Sequence, residues 1–570
     1  MSLVIGIDLG TTTTEAAVYR NGKPEMLMNF DGEAVTPSAV GIDREGNWVV
    51  GSRARAQYLL EPGNTAIEVK RKTGTGETVK IGKTQYEPVE LQARLLSYVR
   101  SYASEYLGEN VERAVISVPA YFDNRQRLET VMAGHQAGFF VERIINEPTA
   151  AAMCYGLEHM EEESHVLVYD LGGGTFDVTL LEMFEGVLEV KASGGDNQLG
   201  GKDFDDRLMD CLLNRFQQKH GKNLRTDPYA MARVKEEAEK CKIALSEADQ
   251  FRVLLPAVYT DLTGPIELDE IITRTDFEEM TRDLLDRTHH PMDVVLQDSG
   301  LKPEQLDHII LVGGSTRMPM VAEDIEEYMK IKPENSVHPD YAVALGAAIQ
   351  SGIISGEIEP EDGLVMTDVC PYSLGIRTAD DGVGDAMSII IPRNTTIPVS
   401  RTERYCTHAD CQCSAQIAVY QGESGLAIYN HYLGEFMISG IPPAPAGKEK
   451  MDVQFSYDLN GILQVKASLL SSSNNSRELT IDTGKQHGEE DVSLWKSGEM
   501  ATSCRSVIRN AEKLISSGVL PMGEEERLQD KIYQLKYAIL KNQKDDVDAL
   551  KSAVHWLTKT LKEKTIDDEK

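Results

Sequence analysis

"LVIGIDLGTTTTEAAVY" (Leu3–Tyr19) and "HVLVYDLGGGTFDVTLLE" (His165–Glu182) are the two stretches on which the reading of this chain turns. Each runs from an apolar strand through Asp-Leu-Gly, two small residues and a threonine into a second strand. The pattern D-L-G-x-x-T therefore recurs at Asp8 and Asp170. A single copy is an ordinary glycine turn; two copies, each with its aspartate, predict an internal duplication with one β-hairpin per half. The chemistry suits phosphate. Glycine lets the backbone come close to a ligand. Successive backbone N–H groups then form an anion-binding concavity, to which threonine hydroxyls add donors. Asp8 and Asp170, at strand ends, aim two carboxylates at one place. Two carboxylates beside a polyphosphate imply Mg²⁺, held by oxygen ligands and mostly through water. A third strand–glycine turn follows in "HIILVGGSTRMP" from His308, where Gly313, Gly314 and Ser315 precede Arg317, a candidate for stacking on or bonding to a nucleotide.

With 570 residues the chain is too long for one hydrophobic core, and two to four domains are expected. Its net charge of -33, from 58 basic and 91 acidic residues, argues against a nucleic acid or an anionic membrane as main partner. No apolar run approaches the ~20 residues needed to span a bilayer. "MSLVIGIDLG" carries no cationic segment, so no signal peptide is expected there. Eight cysteines without disulfide-framework spacing predict a reducing, cytoplasmic setting.

From Val369 to Ile481, short alternating runs such as "QIAVYQG", "MDVQFSYD" and "ILQVKAS" are separated by turn residues, among them Asn460-Gly461. They predict an all-β sandwich. After about residue 498 the period becomes helical: Leu528, Ile532, Leu535 and Ile539, then Val547, Leu550, Val554, Leu557 and Leu561, with Val507 and Leu514. These stripes predict the core of a small three-helix bundle. "GEIEPEDGLVMTDVCP" joins the first part to the second, and its run Leu364, Val365, Met366 is expected to dock in at least one state, because exposed apolar runs are costly.

The motifs "GIDLGTT", "VISVPAYF", "RIINEPTAAA", "DLGGGTFDV", "GDNQLGGKDFD", "LVGGSTRMP" and "HPDYAVALGAA" occur in this order over roughly residues 3–350, and "CPYSLGI" and "RNTTIPVSR" continue them. Together they closely resemble the DnaK-type, seventy-kilodalton heat-shock chaperones; "TDVCPYSLGI" is similar to the HscC-like bacterial branch. The resemblance implies a multi-domain fold: an α/β actin-like ATPase domain over 1–361, a linker over 362–369, a β-sandwich peptide-binding domain over 370–482, a helical lid over 498–563 and a tail over 564–570. It implies slow ATP hydrolysis that switches affinity for extended apolar segments of unfolded or client polypeptides, which suits phosphoryl transfer by positioning and charge neutralisation alone. A J-domain co-chaperone and a nucleotide-exchange factor are the implied partners, with ATP/ADP, Mg²⁺ and K⁺ as cofactors.

Residue by residue, Lys70, otherwise one surface lysine among many, resembles the lysine that positions the attacking water. Glu147 resembles the carboxylate at the catalytic hinge, and Asp170 the proton acceptor. Asp8 and Asp177 resemble metal ligands. Gly10, Thr11, Thr12, Gly172, Gly173, Gly174 and Thr175 fall on the phosphate loops, and Gly200 and Gly201 on the turn of "GDNQLGG". Glu239, Lys242 and Ser246 match the adenosine-side helix, and Gly313, Gly314, Ser315, Arg317 and Asp340 the rest of the nucleoside pocket. Pro119, Arg127, Arg143, Leu364, Val365, Met366 and Asp368 match positions of interdomain coupling. Thr367 stands where a leucine is usual. The stretch from Lys70 to Pro119 and the segment Thr483–Thr502 are both shorter than in many members.

"CTHADCQC" (Cys406–Cys413) carries three cysteines and a histidine in eight residues. As a hairpin it would put all four on one face, near a zinc knuckle, although four ligands so close together depart from the usual separated pairs. A thiol-based redox response is a second reading. Aligned through its flanks, it resembles the rim of the peptide cleft. Tyr405 and Ile376 then become walls, beside Thr378, and His408 an arch facing Ala379. Gln412 becomes a backbone-binding group, Ile417 a pocket wall, and Ala415 a small residue where a larger aliphatic is usual. Outside this family, the D-L-G-x-x-T pair also fits another actin-like ATPase, such as a small-metabolite kinase, or a filament former.

Overall fold

The computed structural model describes residues 3–480 except 158, 160–162, 263, 335, 360–364, 381–382 and 472–475; beyond them it describes helix Glu499–Ile515 and scattered helical residues between 528 and 562. Leu364, Leu550 and the stretch 483–498 thus lie outside the described residues.

The duplication inferred from D-L-G-x-x-T is visible in the sheets. Strand Val4–Leu9 pairs antiparallel with Thr13–Arg20, placing Asp8 opposite Glu15, and parallel with Arg113–Val118. Strand Ser164–Leu171 pairs antiparallel with Phe176–Phe184, placing Asp170 opposite Asp177, and parallel with His308–Val312. Each half is therefore a hairpin with a parallel strand on its open side. The central strands are buried along most of their length and apolar up to their motif aspartates in Val4–Ile7 and Val166–Tyr169, as strands covered on both faces require. Helices Glu147–Gly156 and Ala342–Ser355 pack together between the halves, and small residues set their approach. A Cβ on Gly346 would lie 1.8 Å from the carbonyl oxygen of Ala150, so no larger residue fits there.

Contacts divide the chain into two compact units. The first comprises 1–375, 388–416 and 437–481. Within it, strand Val365–Val369 extends the second sheet: Val365, Met366 and Thr367 run parallel to Val187, Leu188 and Glu189. Strand Thr396–Ile397 then closes the edge. The same unit holds an antiparallel sheet of Val399–Cys406, Lys450–Tyr457, Leu463–Leu469 and Ser476–Thr480. Its Asn460-Gly461 signal marks a hairpin in which Gly461 alone is left-handed, with φ 69°.

The second unit comprises 376–387, 417–436 and 482–570. Ala418, Tyr420 and Ala427 form one small core in it. A separate helical core contains Cys504, Ile508, Leu514, Leu528, Ile532, Leu535, Ile539, Val547, Val554, Leu557 and Leu561. The helical period read from the sequence is thus the period of burial.

The hairpin reading of Cys406–Cys413 does not hold. Cys406 ends a strand of one sheet and Ser414 opens a strand of another, so the segment is a connection between sheets. Hydrogen bonds from Cys411 N to Ala444 O and from Gly440 N and Ile441 N to Cys413 O tie it to the chain beyond residue 436. All three cysteines are free and exposed.

Candidate functional site

Both D-L-G-x-x-T turns, the Gly313 turn and helix Pro228–Leu245 surround one cavity of about 1010 Å³. The two turns approach so closely that a Cβ on Gly174 would lie 2.5 Å from Thr11 Oγ1, and one on Gly200 2.5 Å from Gly174 N. Here glycine lets the backbone at Gly174 approach the Thr11 side chain, and that at Gly200 approach the backbone of Gly174. Of the residues singled out in the sequence, Asp8, Gly10, Thr11, Thr12, Lys70, Glu147, Asp170, Gly172, Gly173 and Thr175 line the phosphate-like end. Glu239, Lys242, Ser246, Gly313, Gly314, Ser315, Arg317 and Asp340 line the remainder. Gly174, Gly200, Gly201 and Asp177 stand behind that wall; they shape it without lining it.

Lys70 is 6% exposed and donates to Glu147 Oε1 at 2.5 Å, so it is a buried ion pair and not a surface lysine. Asp8 Oδ1 accepts from Ser117 Oγ at 2.8 Å. Burial, with Glu147 nearby, pushes the Asp8 carboxyl up to about 7 against the pull of Lys70 and Ser117. Burial also raises Asp170 well above the usual carboxylate range, with Glu147, Asp177 and Asp8 adding to it. Asp177 rises to about 8 through burial and Glu147, and its Oδ2 is buried without a hydrogen-bond partner. This crowd of desolvated carboxylates is unfavourable by itself and fits a cation. Oxygen-only donors of this kind suit Mg²⁺.

At the other end, Lys242 Nζ donates to Asp205 and Gly201 O, and Arg317 pairs with Asp340 at 2.5 Å. Gly313, with φ 84°, turns the chain so closely that a Cβ would lie 2.4 Å from Leu171 O. Four long-range ion pairs near this end were missed by the sequence reading. Arg55 pairs with Glu236 and with Glu239, Lys235 with Glu68 at 2.5 Å, and Arg71 with Asp203. No local motif marks such pairs, since each joins residues far apart in sequence. Glu15, which also lines the cavity, was missed for a different reason: it sits inside an apolar strand.

The positions compared with interdomain coupling are joined by hydrogen bonds. Arg127 is buried and donates to Phe122 O, Ala120 O and Asn146 Oδ1. Asn146 Nδ2 donates in turn to Asp368 Oδ2 at 2.8 Å. Arg143 donates to Gln350 Oε1 at 2.9 Å, and Asp368 lies within its electrostatic reach. Asn460 Oδ1 accepts from Ile144 N, and Asn124 Oδ1 from Leu463 N, both at 2.9 Å. Pro119 heads the turn that returns Phe122 N to its carbonyl.

The positions compared with a peptide cleft fall in both units. In the first, Gln412 spends its side chain on its own loop: Oε1 accepts from His408 N at 2.9 Å and Nε2 donates to Ser414 O at 2.9 Å. Tyr405 shares a hydrogen bond with Ser388, Ala415 is half-buried and His408 is exposed. In the second, Ile376 and Ile417 are buried, Thr378 is half-buried and Ala379 exposed.

Duplicated hairpins around a cavity lined by glycine turns, threonines and carboxylates define an α/β protein whose cavity suits a polyphosphate with its cation. The family model described as Hsp70 protein matches residues 4–570, and the chain belongs to that family. Its members are chaperones with ATPase activity that bind ATP and ADP with Mg²⁺, and they combine an actin-like ATPase domain with a β-sandwich. No helix among the described residues is long and apolar enough to cross a membrane.

Proposed function

We propose that this chain takes up extended apolar segments of unfolded or client polypeptides and releases them when ATP binds. What supports the reading most is the apolar stretch Val365–Met366. It has become a sheet strand in register with Val187–Leu188, and Asp368 at its end is bonded to Asn146. A strand added to a sheet edge is a two-state device: backbone bonds hold it, and a ligand that favours one state shifts the other.

In this reading the domains run over 1–361, 362–369, 370–482 and 498–563. Lys70 and Glu147 orient the attacking water, Asp170 takes its proton, and Thr175 with the loops at Gly10–Thr12 and Gly172–Gly174 holds the phosphates. Asp8 and Asp177 would hold Mg²⁺, whose charge would offset that of the phosphates, and K⁺ is a further cofactor of the proposal. Glu239, Lys242, Ser246, Arg317 and Asp340 hold the nucleoside. Ile376, Tyr405, His408, Ala415 and Ile417 belong to the peptide site, and Gln412 fixes the rim loop there. A J-domain co-chaperone, a nucleotide-exchange factor, a cytoplasmic setting, a stress role and an HscC-like branch complete the proposal.

The test follows a fluorescent unfolded-type peptide and single-turnover ATP hydrolysis on one preparation. ATP is expected to release the peptide, and the double change Val365→Asp with Met366→Asp to abolish that release while hydrolysis continues. Release that is indifferent to these changes, or stoichiometric phosphorylation of a small metabolite with no peptide effect, would sink the reading.

A further inference from the structure

Each cationic side chain lining the cavity is already engaged with a carboxylate: Lys70 with Glu147, Lys202 with Asp206, Lys242 with Asp205 and Arg317 with Asp340. Four cavity-lining carboxylates are left with no ion pair among the described residues: Asp8, Asp170, Glu15 and the exposed Glu247. The first two belong to the duplicated motif; Glu15 does not. It stands directly across the hairpin from Asp8 in the strand register and is 2% exposed. Cross-strand partners share one face of a sheet, which puts the two carboxylates side by side in the cavity wall. Asp340 and Glu147 are its other charged neighbours, and the Thr13 hydroxyl is its hydrogen-bond partner.

A strand otherwise buried along its length gains nothing from a carboxylate at this position, since desolvating an unpaired charge is costly. Next to a polyphosphate the arrangement is worse still, because like charges repel. A cation reverses both terms. The phosphate-side wall then becomes favourable only when nucleotide and cation are present together.

We propose that Glu15 is a further cation-positioning residue: with Asp8 and Asp170 it ties nucleotide binding to the divalent cation. The inference rests on the ATP site proposed above. Its consequence is thermodynamic coupling. Glu15 disfavours nucleotide alone and favours nucleotide with Mg²⁺, and such coupling is reciprocal between the two ligands.

The experiment measures the dissociation constant of ADP on the full chain, by calorimetry, with Mg²⁺ and with EDTA. The quantity read is the ratio of the two constants. Glu15→Gln keeps the shape and removes the charge. It is expected to tighten ADP in EDTA, to weaken it in Mg²⁺, and to shrink the ratio about tenfold or more. Glu15→Asp, which keeps the charge, is expected to retain most of the ratio. An unchanged ratio in Glu15→Gln overturns the proposal; so does an equal change in both constants, which marks a structural role or a glutamic acid that stays protonated. Should Glu15→Gln fail to fold, Glu15→Ala and Glu15→Ser fit the same space and are read by the same ratio. Wild-type protein that binds no ADP under either condition overturns the ATP site itself. An intact wild-type ratio matched by every variant overturns only the role of Glu15.

Discussion

Lys70 and Glu147 show how a residue changes meaning between sequence and structure. In "AIEVKRKTG" nothing separates Lys70 from its neighbours Arg71 and Lys72; only the match to family motifs singles it out. In the fold it is buried against Glu147, seventy-seven positions later in the chain. Lys70→Ala is expected to lower single-turnover hydrolysis about 100-fold or more while ATP still binds, because positioning and charge carry this reaction. A rate within a few-fold of wild type would contradict the assignment. The carboxylates give a pH prediction. Asp8 and Asp177 titrate in the fold at about 7 and about 8, whereas in the unfolded chain they keep the ordinary value of 3.8. Between those limits the folded, nucleotide-free protein binds protons that the unfolded chain does not. Its stability therefore falls as pH rises through that window. Thermal unfolding of nucleotide-free protein across the window checks the slope. Binding of Mg²⁺ and ADP near neutrality is expected to release protons, which calorimetry in buffers of different ionisation enthalpy detects. The two motif aspartates were legible because they recur; Glu15 was not, because one acidic residue in a strand carries no pattern of its own.

At the scale of elements, the hairpins, the third glycine turn and the alternating runs of the β region were legible from period and turn chemistry. Their partners were not. The stretch Val365–Val369 read as either a linker or a short strand because its apolar run is short and follows acidic, glycine-containing sequence; its pairing with Val187–Glu189 depends on an edge formed far away. Thr367 makes this strand adjustable. Its hydroxyl is buried without a hydrogen-bond partner among the described residues. Leaving such a group unpaired costs about 1–3 kcal/mol. Thr367→Val, which keeps the shape, is expected to favour the docked strand, so that peptide is released at lower ATP concentration; release at unchanged or higher ATP would contradict this. The long-range ion pairs were equally invisible in sequence. Arg55 lies in helix Ser52–Leu60 and its partners Glu236 and Glu239 in helix Pro228–Leu245, which lines the cavity. A partly buried, two-partner contact exceeds the usual exposed pair. Arg55→Ala is expected to speed ADP dissociation about tenfold, the effect of losing a contact worth near 1.4 kcal/mol. A stopped-flow rate equal to wild type would show that the pair does not hold the walls together.

In the whole molecule, one sheet runs from the cavity to the strand Val365–Val369. Asp170 ends strand Ser164–Leu171, Asp177 lies in the next strand, and strand Val187–Asp196 carries the edge on which Val365–Val369 docks. Arg127 and Asn146 form a second connection, from the turn after Pro119 to Asp368. The most direct measurement of the central claim is hydrogen exchange at the amides of residues 365–369, with ATP on a hydrolysis-deficient Lys70→Ala background and with ADP on wild type. The account predicts strong protection of these amides with ATP and rapid exchange with ADP. Equal protection in both nucleotide states would contradict it.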